Sequence, residues 1–558
     1  MKKIPLSILA VFLFFTSCKD YLDVAPETEF TNDNFWTSES NIESFSYGLY
    51  DAFKGYGNGG FFGGDHFFSV NNDDVIALDQ RLELDFRTAV PATPSGTDWT
   101  WDDIRKANVL IEGVTNSPLA QTTKDRYIAV GRFFRALLYW EKVKRYGDVP
   151  FYDHPISPSD DGALYAARDS RVEVVNRIVE DLNFAIANLP DETSKVKVTK
   201  WTALALKSRV CLAAATTFKY HNVAGGDVNK LLNESIDASE QLMNAHFSLH
   251  GNYAELFSSE DLSSNSEIIL MKKYNENMRH SILSFIFHEP FFGFSHSAVS
   301  AFLMSDGKPI SYDGSTHPGY SEWVFTTTDT IRTSNNAIKT SVGIAANRDK
   351  RLAAIVDTSR LVTLFSKGIP MFSPIKYATY DLVDNQPTQG VQATSDAPIF
   401  RLGEVLLNFA EAKAEAGTIT QDDLDRSINL LRDRAGVAHL TIDVGFSADD
   451  RDPTVDPLLW EIRRERRVEL MLEPFRKWDL IRWAKGEYYD AEDSFYGVRV
   501  DPNVVFENGI TVLTTPDGHL YAQAPGDRRT PWDDRKYLEP IPADQLVLNP
   551  QLTQNPGW

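Results

Sequence analysis

The chain has 558 residues, 42% of them hydrophobic and 24% charged. That suffices to bury a large core, and it excludes disorder and a fibrous fold. Its 78 acidic and 56 basic residues give a net charge of −22, against a general nucleic-acid binder, and its 2 cysteines exclude a disulfide framework or a Cys-ligated metal.

The first 17 residues read as a signal peptide. Lys2 and Lys3 precede an apolar run over 4–15, too short for a bilayer core of about 30 Å. The run ends in Phe15, Thr16, Ser17 and Cys18. A small residue directly before a Cys resembles the lipobox of bacterial lipoproteins, which places cleavage before Cys18 and acyl chains on it. Several acyl chains anchor stably where one does not. An ordinary secretory signal would leave Cys18 incidental, but its position directly after the run favours lipidation. Cys211 lies in an apolar helical run and reads as a small buried hydrophobe. No other uncharged apolar stretch reaches membrane-spanning length.

A polar tether over 18–30 leads into helical signals. The spacing of Phe45, Leu49 and Phe53 predicts a helix over 34–53, stopped by the run GYGNGGFFGG. A helix over 98–116 has Asp98 as candidate N-cap, and the next starts near Thr122 or Thr123 and ends at Gly147. Three more follow over 170–189, 199–218 and 228–246. Residues 250–395 are rich in Ser, Thr, Gly, Pro and aromatics, and read as loops and short strands on a helical scaffold. Helices return over 400–417, 421–436 and 457–485, the last broken by Pro474. The helix pairs resemble tetratricopeptide units, in which small residues such as Ala203, Ala205 and Ala213 permit close approach.

Several motifs have a plainer reading. Gly55, Gly57 and Gly60 match G-x-G-x-x-G but follow a helix rather than a strand, so a turn is expected. GFSHS at 293–297 misses the nucleophile elbow because Ser297 stands where Gly is needed. His288, Glu289 and His296 lack zinc spacing, and no metal is assigned. The run EIRRERRVELMLEPFRKWDLIRW interleaves charges, as in Glu461 with Arg464 and Arg466 with Glu469, and reads as a self-paired helix face.

Two aromatic and polar clusters point to sugar. The first spans 65–101 and holds Asn72, Asp73, Asp74, Arg81, Trp99 and Trp101; the second holds Phe291, Phe292, Tyr320 and Trp323. An aromatic face stacks on sugar C–H groups, while Asp, Asn and Arg hydrogen-bond hydroxyls. Of the paired tryptophans, one is expected in the core and the other, Trp99, presented.

The stretches CKDYLDVAPE, WTWDDIRKANVLIEG, GRFFRALLYWEKVKRYGDVPF and KWTALALKSRVCLAAA resemble the SusD/RagB family of nutrient-binding outer-membrane lipoproteins. So do NRDKRL, APIFRLGEVLLNFAEAKAEAG, INLLRDRAG, the Arg/Glu helix and the closing YLEPIP with LNPQLTQNPGW, in the family's order. NRDKRL departs slightly from the commoner NRDPRL. The resemblance implies a mostly α fold, with about four tetratricopeptide-like helical hairpins and an irregular loop-rich half. It divides the chain into an N-terminal region over 31–250 and a C-terminal region over 251–558, integrated as one domain. It implies no catalytic residues and no cofactor. It implies a lipid-anchored, outward-facing protein on the outer membrane that binds an oligosaccharide or polysaccharide and hands it to a SusC-like TonB-dependent transporter. The ten cluster residues named above are the expected glycan contacts. Peptide capture by the same architecture, a surface glycoside hydrolase and a purely structural transporter lid are the competing readings.

Overall fold

Apolar residues three and four apart build the first half from helices that bury one stripe each. In the computed structural model these are α1 (Glu39–Tyr47), α2 (Asp102–Thr115), α3 (Gln121–Tyr146), α4 (Arg171–Asn188), α5 (Lys200–Tyr220) and α6 (Val228–Met243). The structure describes residues 35–59, 64, 72–77, 87–288, 292–310, 323–325, 330–331, 337–339, 343–363, 370–385, 389–446, 452–500, 505–506, 513–516, 518–521 and 531–558. The signal peptide, Cys18 and the tether lie outside them.

Side-chain caps fix several helix starts. Ser170 Oγ accepts from the Glu173 amide, Thr199 forms a reciprocal capping box with Thr202, and Asp227 accepts from the Lys230 amide. Two expected caps fail. α2 begins after Trp101, while Asp98 forms an ion pair with Arg145; α3 begins after Ala120, which places Thr122 and Thr123 inside it. α1 is shorter than the expected helix over 34–53, and a 3₁₀ turn at Tyr50–Ala52 follows. α3 ends at Gly147, whose φ of 72° suits glycine.

α3 packs on α2 and α4, and α5 packs on α6, as expected of stacked hairpins. Ala203 and Ala205 are buried, and Ala213 is half-buried against the same core.

The second half is irregular, as its composition predicts. It contributes α7 (His296–Ser300), α8 (Leu402–Glu415), α9 (Ile428–Ala435), α10 (Pro457–Glu469) and α11 (Arg476–Arg482). Chain residues outside helices form β1 (Val75–Ala77), β2 (Ile268–Lys272), β3 (Phe292–Phe294), β4 (Trp323–Phe325), β5 (Ala337–Lys339), β6 (Val356–Thr363), β7 (Pro370–Pro374), β8 (Ala397–Arg401), β9 (Tyr496–Val500) and β10 (His519–Tyr521). One sheet runs β1-β3-β7-β6-β5, a second runs β10-β9-β4, and β2 pairs with β8. The larger core gathers residues from Ile42 to Ile541 between the helices, and a second core lies under the sheets around Phe294, Phe302, Phe372 and Val498. The fold is mostly α, with the irregular half carried on helical pairs.

α10 corrects one expectation. Glu461 and Arg464 do pair, at 3.1 Å, but both are buried. Arg466 instead reaches Asp479 of α11 at 2.8 Å, and Glu469 takes Arg351, Arg401 and Arg434 at 2.8, 2.5 and 2.6 Å. The helix is covered by its neighbours, so its charges leave water and must be neutralised across elements. No helix among the described residues is long and apolar enough to cross a membrane.

Candidate ligand-binding face

β1 and β3 bring the two sequence clusters together. Val75 pairs with Phe294 and Ala77 with Phe292. Beside them the Ser295 amide donates to the Asp74 carbonyl at 2.9 Å and its hydroxyl to the Asp73 carbonyl at 3.0 Å. Ser295 also caps α7, through the Ala298 amide at 3.2 Å. This capping turn occupies the place of the near-miss nucleophile motif.

The charged side chains of the first cluster turn inward. Asp73 accepts two bonds from Arg476, at 2.8 and 2.6 Å, and Asp74 accepts one from Arg467 at 2.7 Å. Arg467 also donates to Ser297 Oγ at 3.1 Å. Asn72 is buried, and its Oδ1 accepts from the Asp74 amide at 2.8 Å. Burial alone would raise the Asp73 pKa, but Arg476 and Arg467 outweigh it and hold the carboxyl at about 2. Asp73 and Asp74 therefore tie the β1–β3 region to α10 and α11, and buried Asn72 braces their turn, correcting the expectation that the three face a ligand.

The tryptophans reverse their expected roles. Trp99 is 4% exposed, edge-on to Trp101 at 4.8 Å and to Tyr146 at 4.9 Å. It packs in the helical core, because the late start of α2 leaves it folded back onto the end of α3. Trp101 is the half-buried member of the pair. Phe292 is buried under the sheet. Arg81, Phe291 and Tyr320 lie outside the described residues. Trp323 lies in β4, paired to Arg499 of β9.

Another aromatic stands outward. Tyr380 is 46% exposed, and its hydroxyl donates to Asp357 Oδ2 at 2.9 Å and shares a 2.7 Å bond with Ser359 Oγ. Asp357 Oδ1 in turn accepts from the Ser359 amide and hydroxyl at 2.9 and 2.7 Å. The Phe287 ring meets Tyr380 edge-on at 5.7 Å. Asp357 and Ser359 lie on β6, in the same sheet as β1 and β3. Next to α7, Tyr496 of β9 stacks over His519 of β10 at 5.9 Å and meets Tyr521 at 5.3 Å. Tyr496 and Tyr521 are half-buried. Sequence reasoning missed these tyrosines. The one signal for Tyr380 was its place in the irregular stretch, where no period separates a presented ring from a packed one.

Tyr380 offers a ring surface braced by a carboxylate and a hydroxyl, a chemistry that grips C–H faces and polar groups together. Among the described residues, no group of three or more His, Cys, Asp or Glu is arranged to hold a metal.

Residues 369–558 match the model of the SusD family, and residues 20–212 match the model described as "Starch-binding associating with outer membrane". The chain belongs to the SusD/RagB family. It is 25% identical over 514 residues to SusD-like protein P25 of Formosa agariphila, covering 86% of this chain and 90% of that one. A SusD-like carbohydrate-binding protein of Bacteroides fragilis is 21% identical, with a TM-score of 0.70 over 93% of this chain and 100% of that one. A further SusD-like protein of the same species is 22% identical, with a TM-score of 0.68 over 96% and 100%. Those structures share the SusD fold with this chain. Carbohydrate binding and association with the outer membrane are the general properties that membership in the SusD/RagB family carries.

Proposed function

We propose that this SusD-like protein captures an oligosaccharide at the cell surface without cleaving it and passes it to a SusC-like TonB-dependent transporter. Acylated Cys18 holds it on the outer membrane, facing outward. The observation that carries the reading is Tyr380. A large ring stands half in solvent, yet its hydroxyl is fixed by Asp357 and Ser359. A ring held in place loses little freedom when a sugar stacks on it, which is the condition for useful affinity on a shallow surface. Tyr496 and Tyr521 add further aromatic surface, and Arg81, Phe291, Tyr320 and Trp323 remain proposed contacts; Trp101 lies beside Lys142, Trp99 and Tyr152 and is not part of this set. Asn72, Asp73, Asp74 and Phe292 support that set from beneath, and Trp99 belongs to the helical core.

The test is a glycan screen on the folded mature protein, followed by titration of Tyr380→Ala. The expected result is an oligosaccharide ligand whose affinity falls in the variant, with no products after prolonged incubation. Binding of peptides alone would replace the sugar by a peptide, and release of shortened glycan would make the protein an enzyme. If the anchor is as proposed, Cys18→Ala releases the protein from the membrane fraction.

A further inference from the structure

A cavity of about 880 Å³ opens between the end of α3, α5, β8 and the segments around 475 and 537. That volume lies in the ordinary range for small-ligand sites, about 300–1,000 Å³. Tyr380, Tyr496 and Tyr521 do not line it.

Its charges are unevenly matched at one end. Arg145 takes two carboxylates there, Asp98 at 2.9 Å and Glu539 at 2.8 Å, and Lys144 takes Glu141 at 2.6 Å. Lys142 is 8% exposed, and its ammonium donates to the backbone carbonyl of Asp98 and lies 5.6 Å from the Trp101 ring. Among the described residues no carboxylate lies within ion-pair distance of it. Arg87 likewise donates to a backbone carbonyl, that of Gly96, at 2.5 Å. Gly96 lies in the tight turn over 94–97, closed by the Thr97 amide on the Pro94 carbonyl at 2.9 Å, and Asp98 directly follows it. Two cations thus converge on neighbouring carbonyls at the cavity wall, neither with a carboxylate within ion-pair distance among the described residues; Asp98, Glu141 and Asp103 act on Lys142 only from farther away, in a chain of net charge −22. For the buried Lys142, a charge without a close partner is costly unless something supplies the missing counter-charge, and the half-buried Arg87 stands beside it.

The rest of the wall suits a hydroxylated ligand. Arg209 is held by Glu404 at 2.6 and 2.7 Å, and its guanidinium lies 4.2 Å from the Phe400 ring and 5.0 Å from that of Phe475. A pinned arginine–carboxylate pair between rings offers donors, acceptors and apolar faces side by side.

We infer that this cavity is a second ligand site, for a saccharide carrying one anionic group, a carboxylate or a sulfate, held by Arg87 and Lys142. The inference rests on the carbohydrate reading of the protein but not on the Tyr380 face. Calorimetric titration of the mature protein with trigalacturonate, a sulfated galactotriose and maltotriose tests it. At least one anionic probe is expected to bind without being displaced by maltotriose, and Arg87→Gln and Lys142→Met are each expected to weaken it about tenfold, the worth of one charged hydrogen bond. Binding of one anionic probe alone assigns the group as carboxylate or sulfate. The inference is overturned if neither anionic probe binds, if maltotriose displaces it fully, or if Arg87→Gln, at a half-buried position, leaves its affinity intact. Failure of the anionic probes alongside binding of another glycan removes only this second site; failure of every glycan removes the proposed function as well.

Discussion

Arg476 grips both carboxylate oxygens of Asp73, at 2.8 and 2.6 Å, across 403 positions of chain. This contact joins α11 to the turn before β1 and so positions the edge of the five-stranded sheet. The same aspartate, seen in sequence beside aromatics, looked like a hydroxyl-binding residue. Its work is to hold that sheet edge in place.

Asp73→Ala is therefore expected to destabilise the fold by about 3–5 kcal/mol, because it strands a buried guanidinium. Chemical denaturation followed by circular dichroism measures this. A variant as stable as the parent would remove the structural role.

Acid should act through the same groups. Burial raises the carboxyls of Asp73 and Glu411, but their arginine neighbours prevail and hold each at about 2. The folded pKa then lies below that of the unfolded chain, so the stability these groups contribute is complete above the ordinary carboxylate range. It is lost as pH falls through about 2. As far as these two groups are concerned, denaturation midpoints taken from pH 6 downward should stay level to the ordinary carboxylate range and fall from there to about pH 2.

Trp99→Ala is expected to cost about 3–5 kcal/mol of stability, as for other large aromatics emptied from a core. Its effect on glycan affinity should follow only from the fraction left folded. A stable variant with selectively weakened binding would return Trp99 to the ligand face.

Tyr380→Ala should leave stability nearly unchanged and weaken the proposed glycan by up to about tenfold, the scale of one lost aromatic stacking contact. Tyr380→Phe keeps the ring but frees it from Asp357, so an intermediate loss is expected. Titration of both variants against one oligosaccharide separates the ring from its bracing.

Cys211 is buried, and burial pushes its thiol up to about 12. A thiol reagent at pH 8 should label it only on unfolding. Rapid labelling of the native protein would show that α5 opens locally.

The sequence by itself determined the helical scaffold, the irregular second half, the Pro474 break and the family. Those follow from local periodicity, capping chemistry and ordered motifs, which act over a few residues and survive without knowledge of neighbours. Its surface assignments were less secure. The charges of α10 looked paired along one helix face, Asp73 and Asp74 looked ligand-facing, and Trp99 looked presented, yet the tertiary structure buries them and pairs most of those charges across elements. Exposure depends on which distant element covers a side chain: Arg476 reaches Asp73, Arg434 reaches Glu469, and Tyr146 covers Trp99. Tyr380 shows the converse, since only the pairing of β6 and β7 and the position of Asp357 make an ordinary tyrosine an outward, braced ring. Burial and partnership arise from long-range packing, so only the folded chain could separate scaffold from platform.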